Sequence, residues 1–359
     1  MERPLPAQAT GGVGHRGPVR VGRRSEAPES GARPVNPVPR PRCPLAELTQ
    51  PNRHSGVPLS FARVVRKETT ENADQYGCGI DVGVLGPLYL RCGPEVRTPS
   101  APKLRNVLTT LIVNAGQVVP VSLLMRELWD DEPPVSWLTT LQTYILNLRK
   151  LLASTTGLPT AEVARRLLQT RAGGYVLELG AGTLDLHEYQ VTVAAAREFL
   201  FAGDDLQAVR TFDSALRLWR GPAFLDVQGG RVLESKRRQI EESRLVALEH
   251  MVGAQLRLGM YHEVLTELVA LTVENPLHEG LHAQHMIALH SLGRRAEALD
   301  VFRRLRDNLV EDLGLEPGSR AREVHQAILG ADGSHGRGAL LAEVVDIRWS
   351  NPNDTTRVY

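Results

Sequence analysis

The segment His278-Glu279-Gly280-Leu281-His282 carries two histidines four residues apart with a glutamate between them. On a helix this spacing stacks two imidazoles on one face, where they hold zinc while the carboxylate polarises an attacking water, as in a zinc peptidase. Three fixed positions of five make a short pattern. Gly280 weakens the rigid helical platform the metal needs, and no family-type third ligand stands out, although His285 and His290 follow closely. The same stretch reads as a packing helix, with Leu277, Leu281 and Met286 or Leu289 inward and the histidines at its surface. That second reading is preferred, with no metal and no catalytic residue assigned. No Walker loop, dinucleotide fingerprint, nucleophile elbow or paired-carboxylate spacing occurs elsewhere, so the chain is expected to be neither an enzyme nor a cofactor carrier. His187, His250 and His262 are isolated and take no role, while Trp129 and Trp219 lie in apolar-rich segments and are read as packing residues.

A different chemistry is offered by "SWLTTLQTYILNLRKLLA", residues 136–153. Leu138, Leu141, Ile145, Leu148 and Leu152 step by three and four, which makes one apolar stripe on a helix. At 100° per residue, Thr139, Thr143, Leu146, Asn147 and Lys150 project away from that stripe, with Thr140 and Arg149 on its flanks. From Trp137 onward no carboxylate occurs before Glu162. Hydroxyl, amide and cationic groups without acid suit the major groove of DNA, where phosphates repel carboxylates and amides reach base edges. An ordinary solvated face would have the same composition.

The elements that must position this helix are legible around it. Two β-like runs, 80–85 and 88–92, flank Gly86-Pro87, and a third run covers 95–98. Ser100 is placed to cap a first helix, Pro102 suits its first turn, Gly116 lies past its end, and Leu104, Val107, Leu108, Leu111 and Ile112 form its buried face. A second short helix over 122–129 carries Leu124 and Leu128, and "DDEPPV", residues 130–135, forces an acidic loop. After the polar linker "STTGLPTAE" come two β-like runs around Arg171-Ala172-Gly173-Gly174, a hairpin. Small strands, three helices and a closing hairpin make a winged helix-turn-helix.

From Leu184 onward strand signals vanish. Helices flank Gly203-Asp204, Gly221-Pro222 closes the second of them, and Leu258-Gly259 and Leu292-Gly293 repeat 34 residues apart, each before an amphipathic run. The fold class expected is mainly α with a small β component: a winged helix followed by an all-α, tetratricopeptide-like domain of stacked helix pairs.

Of 359 residues, 42% are hydrophobic and 23% charged, as in soluble globular chains of two or three domains. No eighteen-residue apolar run exists to span a membrane and no secretory leader is evident, so a cytoplasmic, nucleoid-associated location is expected. Cys43, Cys78 and Cys92 lack C-x-x-C spacing and read as reduced thiols. Net charge is +1, yet residues 1–66 hold eleven Lys+Arg against four Asp+Glu, and residues 181–359 hold twenty against twenty-six. The basic front contains eleven of the 23 prolines and too little apolar surface to offset its ordering entropy. Four segments follow: a disordered basic tail (1–78), the winged helix (79–180), the helical domain (184–330) and a flexible C-terminal tail (331–359).

The runs "LGPLYLR", "PKLRNVLTTLIVNAGQVVPVSLLMRELWDDEPP", "TLQTYILNLRKLL" and "TRAGGYVLEL" resemble, in order, the DNA-binding domain of OmpR-type regulators, in the form found in the Streptomyces antibiotic regulatory proteins. "RLWRGPAF" and "ENPLHEGLHAQHMIALHSLGRRAEALDVFRRLRDNLVEDLGLEPG" resemble the bacterial transcriptional activator domain that follows it in that family. The resemblance implies a transcriptional activator of an antibiotic or secondary-metabolite cluster. Such a protein binds direct repeats of double-stranded DNA as a dimer or higher assembly and recruits RNA polymerase through its sigma factor. It further implies that Thr139, Thr140, Thr143, Leu146, Asn147 and Lys150 face the major groove, with Arg149 reaching phosphate from the flank. Arg171, Gly173 and Gly174 would form the wing tip, and Tyr175 would pack the wing onto the domain. Leu146-Asn147 departs from the Ser or His plus basic residue frequent in the family, which leaves base preference open there. Asp130, Asp131 and Glu132 are the candidates for polymerase contact, against a plain turn. The alternative reading is a helical-repeat adaptor with a weak DNA-binding domain; a zinc peptidase is more distant.

Overall fold

The computed structural model describes residues 79–330; both tails expected from the sequence, 1–78 and 331–359, lie outside the described residues. The described chain begins with an antiparallel three-stranded sheet, β1 (Asp81–Gly83), β2 (Tyr89–Cys92) and β3 (Glu95–Arg97), in that order. Gly86, at φ 137°, makes the turn between β1 and β2 and sets Val82 opposite Leu90, so that both side chains are buried. Cys92, at the end of β2, is disulfide-bonded, against the expectation of reduced thiols.

Helix α1 (Pro102–Val113) starts with proline in its first turn, but Ala101 rather than Ser100 is its N-cap, and no side chain caps it. Val107, Leu108, Leu111 and Ile112 are fully buried as the periodicity predicts, and Asn106, Thr109 and Thr110 are buried with them. The short strand β4 (Val119–Pro120) leads into α2 (Val121–Trp129), followed by the acidic loop and α3 (Trp137–Thr156), which Gly157 ends in the left-handed conformation at φ 74°. Part of the expected polar linker is in fact a helix, α4 (Thr160–Arg166), which buries Val163. The hairpin β5 (Leu168–Arg171) and β6 (Gly174–Leu177) then joins β4 in a second sheet, ordered β4-β6-β5. A winged helix-turn-helix results.

Seven helices follow: α5 (Asp185–Phe201), α6 (Asp205–Leu216), α7 (Arg231–Arg257), α8 (Tyr261–Glu274), α9 (Glu279–Ser291), α10 (Arg295–Leu313) and α11 (Ser319–Gly330). The three Gly turns recognised in the sequence share one geometry. Gly203, Gly259 and Gly293 have φ of 75°, 77° and 78°. In each, the residue after glycine donates its N–H to a carbonyl five positions back: Asp204 to Phe199 at 2.9 Å, Met260 to Gln255 at 3.0 Å, Arg294 to Leu289 at 2.9 Å. The glycine N–H closes the inner bond to the carbonyl three back, which completes a Schellman motif and satisfies the helix end.

Two hydrophobic clusters form the interior, and they do not part where the sequence-defined domains meet. The first runs from Ile80 to Met251 and so fuses the winged helix with α5, α6 and most of α7; the second runs from Val252 to Ile328. Helix α7, 27 residues long, serves both, with Leu233, Ile240, Ala247 and Met251 in one and Val252 and Leu256 in the other. Each fully buried Leu or Ile in these clusters contributes about 1.5–3 kcal/mol. No helix among the described residues is long and apolar enough to cross a membrane.

Candidate nucleic-acid interface

Helix α3 is anchored by Leu141, Ile145, Leu148 and Leu152, each no more than 2% exposed. Leu138, expected to open the same stripe, is 44% exposed, while its neighbour Trp137 packs against the core in the first turn of α3. Trp129 at the end of α2 stacks on Tyr144 at 6.5 Å between ring centroids, and the Lys103 ammonium lies over the Trp129 ring while donating to the Leu128 carbonyl. These contacts fix the angle at which α3 leaves the domain.

The opposite face carries Thr139, Thr143, Leu146, Asn147 and Lys150, all exposed, with Thr140 half-buried beside them. Gln142 belongs to this face as well; sequence reasoning missed it, although its amide, three residues from Thr139, was the available signal. The Thr140 and Thr143 hydroxyls donate back to the carbonyls of Ser136 and Thr139 at 3.1 and 2.9 Å, which leaves their lone pairs outward. Among the described residues, Gln142, Asn147 and Lys150 make no side-chain hydrogen bond or ion pair, so their polar ends are open to a ligand.

Arg149 differs from the expectation. Its Nε donates to the Leu168 carbonyl at 3.0 Å and its terminal nitrogen to Thr170 Oγ1 at 2.8 Å. Partial burial lowers its pKa from the ordinary value. The guanidinium thus braces α3 against the first wing strand rather than hanging free beside it. In the wing, Arg171 pairs with Gly174 in register, and Ala172 and Gly173 turn the hairpin, Gly173 at φ 78°. Arg171 and Gly173 are exposed, but Gly174 is buried: a Cβ there would collide with the Val119 carbonyl of β4. Its missing side chain serves the close approach of two strands, not of a ligand. Tyr175 packs beneath, paired with Val119 and Thr170.

The acidic loop is exposed, and Asp130 has φ 55°. Two of its three candidate carboxylates are engaged, since Arg231 at the start of α7 lies 2.9 Å from Asp130 and 3.3 Å from Asp131, while Glu132 projects without an ion pair among the described residues. Three residues before Asp130, Glu127 is 4% exposed and accepts the N–H groups of Gly230, Val232 and Leu233 at 2.5, 2.9 and 3.4 Å. A carboxylate from α2 therefore caps the N-terminus of α7. Burial raises the Glu127 pKa, opposed by those three donors.

Asp185 makes the matching contact at the first sheet, accepting from Val84 N at 2.9 Å, Leu85 N at 3.1 Å and Arg220 at 2.9 Å. Arg220 also donates to the Pro87 carbonyl and lies 4.5 Å over the Tyr89 ring. The loop after α6, which holds Gly221-Pro222, adds backbone bonds from Arg220 to Leu85 and from Phe224 to Val84. Helix α6 ends at Leu216, before Gly221-Pro222, and the intervening "RLWRG" is part of this seam. Nothing in the sequence marked Glu127, Asp185 or Arg220 for that role.

The His278–His282 segment is not a metal platform. His278 is the N-cap of α9, in extended backbone, and its Nδ1 accepts from Leu281 N. His282, His285 and His290 are buried, not at the surface as expected, and Gly280 leaves room for the Glu249 carboxylate. Leu281, Met286 and Leu289 do pack inward. Among the described residues no group of three or more His, Cys, Asp or Glu is arranged to hold a metal ion. Trp219 packs edge-on to Tyr189 at 5.5 Å, and Trp129 in the stack described above.

Residues 97–177 match the family model of the transcriptional regulatory protein C-terminal domain, and residues 184–329 that of the bacterial transcriptional activator domain. The regulatory protein DnrI of Streptomyces peucetius is 42% identical over 254 residues, 70% of this chain and 93% of DnrI. The transcriptional regulator RedD of Streptomyces coelicolor is 32% identical over 71% of this chain and 72% of its own length. Among solved structures, Mycobacterium tuberculosis EmbR in complex with a low affinity phosphopeptide superposes with a TM-score of 0.66 at 31% identity, covering 73% of this chain and 68% of EmbR. Both domains are matched in order and a relative is covered almost end to end, so the chain belongs to the Streptomyces antibiotic regulatory protein family of transcriptional regulators.

Proposed function

We propose that this regulator is a sequence-specific DNA-binding activator, acting on an antibiotic or secondary-metabolite gene cluster. The observation that carries the reading is the outer face of α3, where exposed Gln142, Asn147 and Lys150 keep their polar ends open and no carboxylate interrupts residues 137–161. Amides bind adenine edges bidentately, Lys150 suits guanine or phosphate, and Leu146 offers an apolar surface to a thymine methyl. Arg171 at the wing tip supplies a phosphate contact, and Arg149 holds wing and helix at a fixed spacing so that both meet the duplex together. Two or more protomers on direct repeats would align their acidic loops toward RNA polymerase holoenzyme. In that loop Glu132 is the carboxylate free to meet a basic sigma surface, while Asp130 and Asp131 must first part from Arg231.

Footprinting on promoter fragments beside the gene, across a salt series with excess competitor DNA, tests the reading. Protected direct repeats that survive competitor are expected. Patternless, salt-labile binding would reject it in favour of the helical-repeat adaptor.

A further inference from the structure

The second hydrophobic cluster opens on one side into a cleft of about 380 Å³ between α8, α9 and α10. Leu265, Val269, Val273, Leu289 and Val301 supply apolar walls. Into the same space converge Thr272, His282, His285, Arg294, Glu297 and Arg304. Polar and apolar side chains share this lining, Asn308 among the polar ones, and a concave site of a few hundred Å³ on which polar groups converge has the character of a small-molecule site.

The hydrogen bonds fix what the two imidazoles offer. His282 Nδ1 lies 3.1 Å from the His278 carbonyl, which only accepts, so Nδ1 carries the proton. Thr272 gives its hydroxyl hydrogen to the Leu268 carbonyl at 2.7 Å, so at 3.3 Å it can only accept from His285 Nδ1. Burial holds both rings neutral near pH 7, His285 at about 4. Each Nε2 is therefore left as a bare acceptor, and among the described residues neither has a hydrogen-bond partner. Histidines three apart on α9 thus present two lone pairs to the cleft.

The charge is equally defined. Arg294 is paired with Glu297 at 2.5 Å, whereas Arg304 has no ion pair or hydrogen bond among the described residues. Among the described residues the cleft is left with one cation, Arg304, that no carboxylate pairs.

We propose that this cleft binds a small monoanion, a carboxylate on an apolar ring or chain that also bears hydroxyl donors. The carboxylate meets Arg304, the skeleton lies against Val269, Val273 and Leu289, and the hydroxyl donates to Nε2 of His282 or His285. Such a ligand is a hydroxylated aromatic or aliphatic acid. The proposal does not rest on the DNA-binding reading, because the site lies in the second cluster and its occupancy is measured without DNA.

Calorimetric titration of the full chain with 6-hydroxy-2-naphthoate tests it, beside 2-naphthoate, which lacks the hydroxyl, and 2-naphthol, which lacks the carboxylate. Saturable binding of the hydroxy acid at one per chain is expected, with each truncated probe about tenfold weaker, the worth of one well-placed hydrogen bond. Arg304→Ala, an exposed position that leaves the core intact, should weaken both carboxylates about tenfold and leave 2-naphthol unchanged. One of the two variants His282→Phe and His285→Phe should erase the advantage of the hydroxyl while 2-naphthoate still binds; an advantage that survives in both overturns the proposal. Absence of saturable binding overturns the proposal. So does equal binding of all three probes, or indifference to Arg304→Ala, since either would mean adsorption to apolar surface.

Discussion

The seam between the winged helix and the helical domain is built on buried carboxylates, the outer face of α3 on exposed amides and a lysine, and the two put polar side chains to opposite use. In the seam, Glu127 and Asp185 are buried and nearly every oxygen accepts a backbone N–H or a guanidinium. On α3, Gln142, Asn147 and Lys150 are exposed and make no side-chain hydrogen bond or ion pair among the described residues. A buried group with donors around it contributes to stability only through those donors, and removing it leaves them unsatisfied. An exposed group with open valences contributes little to the fold and keeps its chemistry for a partner. Stability and recognition should therefore separate cleanly by mutation.

The largest effect belongs to the seam. Glu127→Ala strips the start of α7 of its acceptor and is expected to cost about 2–4 kcal/mol by urea unfolding. Glu127→Gln, which keeps one carbonyl oxygen, should cost less. A loss under about 0.5 kcal/mol for the alanine variant would break the comparison at its strongest point.

Acid sharpens it from another direction. His285 titrates at about 4 in the folded chain against an ordinary value of 6.5, so the unfolded state binds the extra proton between those values. Stability falls as pH drops from 6.5 to 4, by up to about 3 kcal/mol. Glu127, with its pKa raised, works in the opposite sense: its ionised form is disfavoured in the fold, so its contribution falls as pH rises through the folded value. Chemical unfolding at pH 7 and pH 5 of the parent and of His285→Gln would show a flatter profile in the variant if the imidazole is responsible.

Arg149→Ala lies between the two regions. Loss of its bonds to Leu168 and Thr170 should cost about 1–2 kcal/mol of stability, and DNA affinity should fall through the loosened wing. Lys150→Ala should leave the melting temperature unchanged, weaken DNA binding by about 1 kcal/mol and reduce the salt slope by about one. If Lys150→Ala unfolds the domain, or Arg149→Ala leaves stability untouched, the assignment of the two cations is reversed. The smallest effect is expected of Arg231→Ala, whose pairs with Asp130 and Asp131 are largely exposed and worth less than about 1 kcal/mol. An increase in promoter activity in that variant would mark the freed aspartates as polymerase contacts.

The apolar stripe of α3 was legible because helical period and burial coincide at Leu141, Ile145, Leu148 and Leu152, and it failed at Leu138 because nothing local says where the core stops. Arg149 read as a phosphate contact because a cation on a helix flank has no local sign of a partner nineteen residues away. Helix α4 was read as the end of a linker and the start of a β-like run, since seven residues give too short a period to identify a helix.

By itself the sequence determined the first three helices and the hairpin of the winged helix and their order, the three glycine turns, the carboxylate-free face of α3 and the family. Those features rest on local rules: period, left-handed glycine, and the charge of adjacent residues. Only the tertiary structure decided that Glu127 caps a helix more than a hundred residues away, that Gly174 serves strand approach, that the histidines of α9 are buried, and that one core runs through both domains. These depend on which surfaces meet, and a buried carboxylate is distinguished from an exposed one by its neighbours in space, which a linear reading does not contain.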